Sequence, residues 1–365
     1  MYQTMQSIPF FPSFRRKSTN VKSYTLSIRD GYEKHQNAGE VLFPEFSQHY
    51  PHTPNWYWTA SGTTAYQAIL AAVSEPGDVI HHTVFGWAAF PGAVVSIGRK
   101  LSLYPCIQDK VTTEVDMLWL KANHMNIKVL TIVHLWGDII DIKPIRDVVG
   151  DDCIIIEDCA QCPSLGENME LNTGKYSDFC VFSWGFFKSP GSIEDGGALC
   201  YKDDSYNEFF DAYFASGIPF RLINDTKPMA PTVAGTKDHM SIAEAAVVKE
   251  DIKILRRMGA REIRTANALS YYESFGIDNP MPNNKIFFAC PIRGVSVEKR
   301  KKLWDLGVQY KNLPDFRHVP PFEKSIVPSE PMCCPDWRQD EMILLPTYEY
   351  LKPEEVKGIQ DILNE

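Results

Sequence analysis

The sequence lacks a long hydrophobic run. None of its apolar stretches approaches the roughly 18 residues that a membrane-spanning helix requires. Its first residues include prolines and charges where a secretory signal peptide would need an unbroken apolar segment. We therefore expect a cytoplasmic protein without a membrane partner.

The sequence also lacks an excess of positive charge. The 365 residues include 37 lysines and arginines against 46 aspartates and glutamates, a formal net charge of −9. Basic residues cluster only at 15–17 and 299–302, and each cluster is expected to be a solvated arm or helix face. No basic stripe with interleaved aromatic residues is present, so nucleic acid is not expected as a partner.

The cysteines do not form a disulfide framework. Nine of them are scattered along the chain, and the odd number favours free thiols in a reducing compartment. Cys159 and Cys162 form one C-x-x-C pair, which is weak support for zinc without a second pair or a set of histidines. No metal site is predicted, and the sequence contains no internal repeat.

The pattern that is present is an alternation of short β-branched runs with helical stretches from about residue 56 to 205, typical of an α/β fold with a mostly parallel sheet. The clearest buried strands are Lys128–His134 and Cys153–Glu157. Ligands of such sheets bind at the carboxyl ends of the strands. Asp158 and Gln161 follow the second strand and fall at that place.

The C-terminal part is more helical. Met240–Tyr272 predicts one or two long helices, which link a large domain over 1–242 to a smaller one over 243–365. Leu313–Pro335 contains six prolines and predicts a long ordered loop. Pro353–Leu363 predicts a terminal helix that has proline in its first turn.

Two residues carry the main chemical signal. Lys188 ends the stretch Phe182-Ser183-Trp184-Gly185-Phe186-Phe187-Lys188 and lies thirty residues after Asp158. A pyridoxal phosphate (PLP) enzyme needs a lysine that forms a Schiff base with the cofactor aldehyde and an acid that keeps the pyridine nitrogen protonated. Taken singly, the lysine is more typical of a protein surface and the acid of a helix cap.

An anion site is predicted near residue 62. Ser61-Gly62-Thr63 leads into a strong helix former, so backbone N–H groups and the positive end of the helix dipole could bind a phosphate. An ordinary serine N-cap is the alternative. Ser183 offers a second hydroxyl, or is simply a serine at the end of a strand.

These and other short motifs occur together in the order of one known family. From about Ile8 to its C-terminus, the chain resembles the DegT/DnrJ/EryC1 family of PLP-dependent sugar aminotransferases. The resemblance implies fold type I, with a large PLP-binding domain and a smaller C-terminal α+β domain. The motifs are Ser61-Gly62-Thr63, Pro76-Gly77-Asp78, Phe85-Gly86-Trp87, His134-Leu135-Trp136-Gly137, Glu157-Asp158-Cys159-Ala160-Gln161, Phe182 to Lys188, Asp195-Gly196-Gly197, His239-Met240-Ser241 with Glu244-Ala245-Ala246, and Ile343-Leu344-Leu345-Pro346.

The resemblance also implies roles for individual residues. Lys188 holds the cofactor as a Schiff base and Asp158 pairs with the pyridine nitrogen, and these are the two catalytic residues. The other cofactor contacts it implies are Gln161 at the phenolic oxygen, Trp87 on the ring face, and Gly62, Thr63 and Ser183 at the phosphate.

The chain departs from the family pattern in several places. Lys237 stands where members carry an asparagine that reaches the phosphate of the partner subunit's cofactor, so Lys237 is a candidate cross-subunit ligand, with a plain surface lysine as the alternative. His239 replaces an arginine and Asp138 a glutamine, and residues 15–40 are not placed by analogy with the family. These differences leave the substrate open.

The function implied by the resemblance is transfer of an amino group from glutamate to a nucleotide-linked keto sugar, in a homodimer. An aminocyclitol or another keto compound is an alternative substrate, and a non-catalytic PLP-binding sensor or scaffold is an alternative of another class. Dehydratases of the family carry histidine at the Schiff-base position. Lys188 therefore argues against dehydration.

Overall fold

A seven-stranded sheet forms the centre of the large part of the molecule. In the computed structural model, the strands run in the order β1-β7-β6-β5-β4-β2-β3. Neighbouring strands are parallel from β6 to β3, and β7 is antiparallel to both of its neighbours. This confirms the predicted α/β fold with a mostly parallel sheet. The structure describes residues 13–84, 86–106, 114–162, 173–218, 230–278, 287–309, 322, 324–327 and 342–365.

The bounds of the strands follow the apolar runs of the sequence. The predicted strands Lys128–His134 and Cys153–Glu157 are observed with shifts of about one residue at their ends. β4 is buried along its whole length, as expected for a strand covered on both faces. The strands are β1 Asn55–Thr59, β2 Val79–Thr83, β3 Lys100–Tyr104, β4 Val129–Val133, β5 Ile154–Asp158, β6 Phe179–Ser183, β7 Gly197–Tyr201, β8 Cys290–Arg293 and β9 Met342–Leu345.

Helices cover the sheet and build the rest of the molecule. The α-helices among the described residues are α1 Ser13–Thr19, α2 Val21–Lys34, α3 Ala38–Phe46, α4 Gly62–Val73, α5 Ala89–Ser96, α6 Met117–Asn123, α7 Lys143–Val149, α8 Asn207–Phe214, α9 Ile242–Met258, α10 Ala260–Ser274, α11 Val297–Asp305 and α12 Pro353–Asn364. None of these helices combines the length and the apolar character needed to cross a membrane.

The predicted helical stretch at 240–272 contains two helices. Ser241 and Glu244 form a capping box at the start of α9. The two helices are separated by Gly259, whose φ of 64° lies in the left-handed region that glycine adopts without strain. The predicted terminal helix is observed as α12, which starts at Pro353.

A second, two-stranded sheet lies in the C-terminal part. β8 and β9 pair antiparallel, and a separate apolar core forms between this sheet and α10, α11 and α12. The division of the chain at residue 242 stays a prediction. The predicted proline-rich loop falls mostly outside the described residues.

The expectation for the basic cluster at 15–17 is wrong for Arg16. Its side chain is completely buried, because carboxylates from distant parts of the chain surround it. The cluster at 299–302 does lie on a helix, α11, with Leu303 buried and Lys301 exposed. All seven cysteines in the described residues are buried free thiols.

Candidate active site

A cavity of about 320 Å³ opens where β4, β5 and β6 end. Its volume is in the range typical of small-molecule sites. Its position agrees with the rule that ligands of such sheets bind at the carboxyl ends of strands. The cavity is lined by seven of the eight residues that were predicted to form the site: Gly62, Thr63, Trp87, Asp158, Gln161, Ser183 and Lys188.

The N-terminus of α4 forms one end of the cavity. Ser61 is the N-cap, and its Oγ accepts from the backbone N–H of Thr64 at 3.2 Å. Ser61 therefore has the ordinary N-cap role that the sequence offered as an alternative. The first N–H groups of a helix have no helical acceptors, so Gly62 and Thr63 present donors and a positive dipole end at the cavity.

Close packing brings this helix end against two strands. A Cβ atom on Gly62 would lie 3.0 Å from Cβ of Ser183, at the end of β6. A Cβ atom on Gly197, at the start of β7, would lie 2.5 Å from the backbone nitrogen of Gly62. Glycine at both positions allows the helix N-terminus, Thr63 and Ser183 to face one small volume.

Asp158 ends β5 at the floor of the cavity. Its Oδ1 accepts from the backbone N–H of Ala160 at 2.8 Å, which fixes the carboxylate after the strand. The side chain of Tyr66 is buried and interacts with this carboxylate. Burial and the charge of Asp158 raise the pKa of Tyr66 well above its usual value, so the phenol stays protonated.

Lys188 enters the cavity from the turn after β6. Its side chain is half-buried, and Nζ lies 5.4 Å from the centroid of the Phe288 ring. Burial lowers the pKa of the Lys188 amine, and the carboxylate of Asp158 opposes part of that effect. A lowered pKa increases the share of neutral amine, which is the form that attacks a carbonyl group.

Gln161 is held by the segment after β4. Its Oε1 accepts from the backbone N–H of Trp136 at 2.7 Å, and the backbone N–H of Phe288 donates to the carbonyl of Trp136 at 2.9 Å. Trp136 has φ 57°, an uncommon value for a residue other than glycine. The bond to Trp136 orients the side-chain amide of Gln161, and its nitrogen is the group that can donate to a ligand oxygen.

A buried pair lies behind these residues. Nε2 of His134 donates to Glu157 at 2.8 Å, because the backbone N–H of Ile140 already donates to Nδ1 at 3.1 Å. Glu157 also accepts from the N–H of Gly174 at 2.8 Å. His134, Glu157 and Cys159 could together surround a metal ion, but the nitrogen lone pair of His134 is already used.

Exposed apolar side chains lie at the mouth of the cavity. Among its lining residues, Trp87 is 55% exposed and Phe187 50%. Lys237, the eighth predicted site residue, is exposed and does not line the cavity. His239, two residues after Lys237, donates from Nε2 to the backbone carbonyl of Phe214 at 2.8 Å.

Several residues around the site were not predicted. Phe288 and Leu344 line the cavity from the C-terminal part, although Leu344 belongs to a motif that the sequence had singled out. Arg16 contacts the backbone of Lys188, and nothing in the local sequence marks it. Only the distant carboxylates that pair with Arg16 explain its burial.

A lysine, a carboxylate and a helix N-terminus on one cavity are the groups that a Schiff-base enzyme of the α/β class requires. The family model described as the DegT/DnrJ/EryC1/StrS aminotransferase family matches residues 42–282. The chain belongs to this family. It is a PLP-dependent transaminase, and the predicted family, enzyme class and cofactor are confirmed.

Solved structures share the fold over nearly the whole chain. A DegT/DnrJ/EryC1/StrS aminotransferase from Brucella abortus is 17% identical with a TM-score of 0.81, covering 97% of this chain and 98% of its own. DesV from S. venezuelae, solved with a ketimine intermediate, is 18% identical with a TM-score of 0.80, covering 98% of each chain. The E. coli GDP-4-keto-6-deoxy-D-mannose-3-dehydratase, solved with hydrated PLP, is 15% identical with a TM-score of 0.77, covering 93% and 96%. No curated protein sequence matches significantly.

Proposed function

We propose that the protein moves an amino group from glutamate to the keto group of a nucleotide-linked sugar, with PLP bound at Lys188. The observation that carries the proposal is the meeting of Lys188, Asp158 and the N-terminus of α4 on one cavity. Family membership supports the aminotransferase class. The nucleotide-linked substrate and the glutamate donor rest on the family resemblance of the sequence.

The residues of the cavity fit this cofactor. The N-terminus of α4 with Thr63 and Ser183 suits a phosphate, because it combines free N–H groups, a positive dipole end and hydroxyl donors. Asp158 suits a protonated ring nitrogen, and the amide nitrogen of Gln161 suits a phenolic oxygen. The indole of Trp87 at the mouth suits a flat conjugated ring.

Bound PLP would supply an electron sink for the negative charge that develops on the substrate carbon. Lys188 is the group in this cavity that can move the proton on and off that carbon. Its lowered pKa favours the neutral amine, which can accept the proton. Its long, flexible side chain can then return the proton at a different atom. The carboxylate of Asp158 would keep the ring nitrogen protonated during both halves of the reaction.

The apolar walls serve to exclude water from this chemistry. Phe288, Leu344 and Trp136 line the cavity beside Lys188. Excluding water strengthens the electrostatic contribution of Asp158, because the effective dielectric constant falls.

A homodimer is part of the proposal. The exposed apolar side chains at the mouth support it, since Trp87 and Phe187 would otherwise remain in water beside the site. Lys237 is then offered as a phosphate contact to the cofactor of the partner subunit. We also propose a cytoplasmic enzyme of polysaccharide biosynthesis, for which the buried free thiols suit a reducing compartment.

The decisive experiment has two stages. The PLP-loaded protein is mixed with L-glutamate, and the visible spectrum is expected to change as the lysine-bound cofactor is converted to pyridoxamine phosphate. The pyridoxamine form is then screened against nucleotide-linked keto sugars, with the amino sugar detected by mass.

Other outcomes separate the alternatives. Conversion by glutamate with product only from an aminocyclitol or another keto compound would replace the proposed substrate. Loss of a sugar hydroxyl without gain of nitrogen would indicate a dehydratase. A cofactor spectrum that no amino donor changes would contradict the transaminase and favour a sensor or scaffold.

A further inference from the structure

The turn that carries Lys188 is held by two buried guanidinium groups. Arg16 donates from Nη2 to the backbone carbonyl of Lys188 at 2.8 Å and from Nη1 to Oγ of Ser189 at 2.9 Å. Arg264 donates to the same hydroxyl oxygen at 2.7 Å. One serine hydroxyl, next to the proposed Schiff-base lysine, therefore receives hydrogen bonds from two arginines.

Two buried carboxylates balance these two positive charges. Arg16 pairs with Asp251 at 3.0 Å and with Glu349 at 3.5 Å, and Arg264 donates to Glu349 at 2.8 and 2.7 Å. All four side chains are between 0 and 2% exposed. Burial would raise the pKa of Glu349, but Arg264 and Arg16 hold it below its usual value, so the carboxylate stays charged.

The far end of the same turn is held as well. Asp251 Oδ2 accepts from the backbone N–H of Gly191 at 2.8 Å, and Lys17 donates to the carbonyl of Gly191 at 3.1 Å. The turn itself is tightly folded, because a Cβ atom on Gly191 would lie 2.7 Å from the carbonyl oxygen of Lys188. The backbone on both sides of Lys188 therefore has little freedom.

The groups that hold the turn come from distant parts of the chain. Arg16 lies on α1, Asp251 on α9, Arg264 on α10 and Glu349 just before α12. Buried ion networks contribute little net stability, because desolvation offsets most of the Coulomb gain. Stability alone therefore does not explain a buried ion network at this position. The functional group closest to it is Lys188, whose backbone it contacts.

We propose that Arg16 is a positioning residue, which fixes the backbone of Lys188 so that Nζ stays at the distance and angle needed for attack and proton transfer. The inference rests on the proposed role of Lys188. Arg16 does not touch the cavity, and its contribution passes through the Lys188 carbonyl and Ser189. Lysine at position 16 would keep the charge, but it lacks the planar fork that binds several acceptors at once.

The test compares Arg16→Lys with a matched control. Arg99→Lys alters another buried arginine, which donates to Ser74 Oγ at 3.1 Å and to backbone carbonyls away from the cavity. Each full-length apoprotein is mixed with PLP, and the rate of capture on Lys188 is followed by visible absorbance and checked by borohydride reduction and mass. The loaded proteins are then mixed with increasing L-glutamate, and unfolding midpoints are recorded.

We expect Arg16→Lys to slow both capture and the saturating rate with glutamate by about tenfold or more, because small displacements of a catalytic group are costly. The glutamate concentration for half-saturation should change by less than about twofold, because the misplaced group acts in the chemical step rather than in binding. Arg99→Lys should lower the unfolding midpoint with both rates unchanged per folded site. Rates for Arg16→Lys that equal those of Arg99→Lys per folded site would overturn the proposal.

A second variant covers the case in which Arg16→Lys does not fold. Ser189→Ala removes the shared hydroxyl and keeps all four charges, and Ser74→Ala is its control. A loss of about threefold or more in the capture rate for Ser189→Ala alone supports the proposal, since one hydrogen bond is removed. An unchanged rate overturns it. Failure of the wild-type protein to capture PLP on Lys188 would instead contradict the proposed function.

Discussion

Gly197 lies so close to the start of α4 that a Cβ atom on it would be 2.4 Å from the carbonyl carbon of Ser61. No side chain other than hydrogen fits there without moving the helix. The register of β7 against β6 places Gly197 opposite Ser183, which shares the same end of the cavity. This contact links the packing of the sheet to the proposed phosphate site.

Gly197→Ala is therefore expected to weaken cofactor binding. Overpacking costs about 1–3 kcal/mol, so displacement of the helix N-terminus should reduce PLP affinity by about tenfold or more. An absorbance titration of the apoprotein measures this change. Gly92→Ala is the control, because nothing lies within 4 Å of a Cβ at that position in α5. Equal affinities for the two variants would show that the helix start does not bind the phosphate.

Lys188→Ala should abolish covalent capture of the cofactor. We expect turnover to fall by about a hundredfold to ten-thousandfold, the range for loss of a general acid–base group. Pyridoxamine phosphate should still bind, since the N-terminus of α4 and Asp158 are unchanged. Visible absorbance and the mass after borohydride reduction report capture. Lys357→Ala, on an exposed face of α12, is the control, and a captured cofactor in Lys188→Ala would refute the assignment.

Asp158→Asn should shift the pH dependence of capture downwards. The Asp158 charge raises the pKa of Lys188, so its removal lets the amine lose its proton at lower pH. The rate of PLP capture measured from acid to alkaline pH should show a lower midpoint, while glutamate conversion falls by about a hundredfold or more because the ring nitrogen loses its charged partner.

Glu194→Gln is the control for this shift. Glu194 lies at the exposed mouth of the same cavity, where water screens its charge. Its midpoint should move less than that of Asp158→Asn. If both variants gave the wild-type midpoint, the proximity of Asp158 to Lys188 would carry no electrostatic effect.

Acid stability should depend on His81. Burial lowers the pKa of His81 to about 4 from an ordinary 6.5, so between these values the unfolded chain binds the proton that the folded chain excludes. Stability therefore falls as the pH drops from about 6.5 towards 4, by about 3 kcal/mol in total. His81→Gln should lose less stability than the wild type over this range, as measured by urea unfolding at several pH values. His124→Gln, which alters a histidine that is only partly buried, is the control. If the stability of His81→Gln depended on pH as strongly as that of the wild type and of this control, His81 would not be buried in its neutral form.

The sequence was sufficient for the parts of the fold that depend on local pattern. Apolar runs such as Val129–Val133 identify buried strands, and Gly259 separates two helices through its own conformational freedom. The position of the site was predictable where the sheet rule applies, since Asp158 lies at the carboxyl end of β5.

Other features depend on contacts that no local pattern encodes. Arg16 in a basic triplet looks solvent-exposed, and only pairing with Asp251 and Glu349, more than two hundred residues away, makes its burial possible. The role proposed for Lys237 needs a second subunit. It stays a prediction, because one chain leaves this lysine exposed.

Two of the four charged residues that hold the Lys188 turn lie outside the region matched by the family model. It covers residues 42–282, so Arg16 precedes it and Glu349 follows it, while Asp251 and Arg264 lie inside. A protein trimmed to those limits would keep every residue assigned to the cofactor. It would also separate Asp251 from Arg16 and Arg264 from Glu349, so the unit that folds with these charges paired is larger than the matched region.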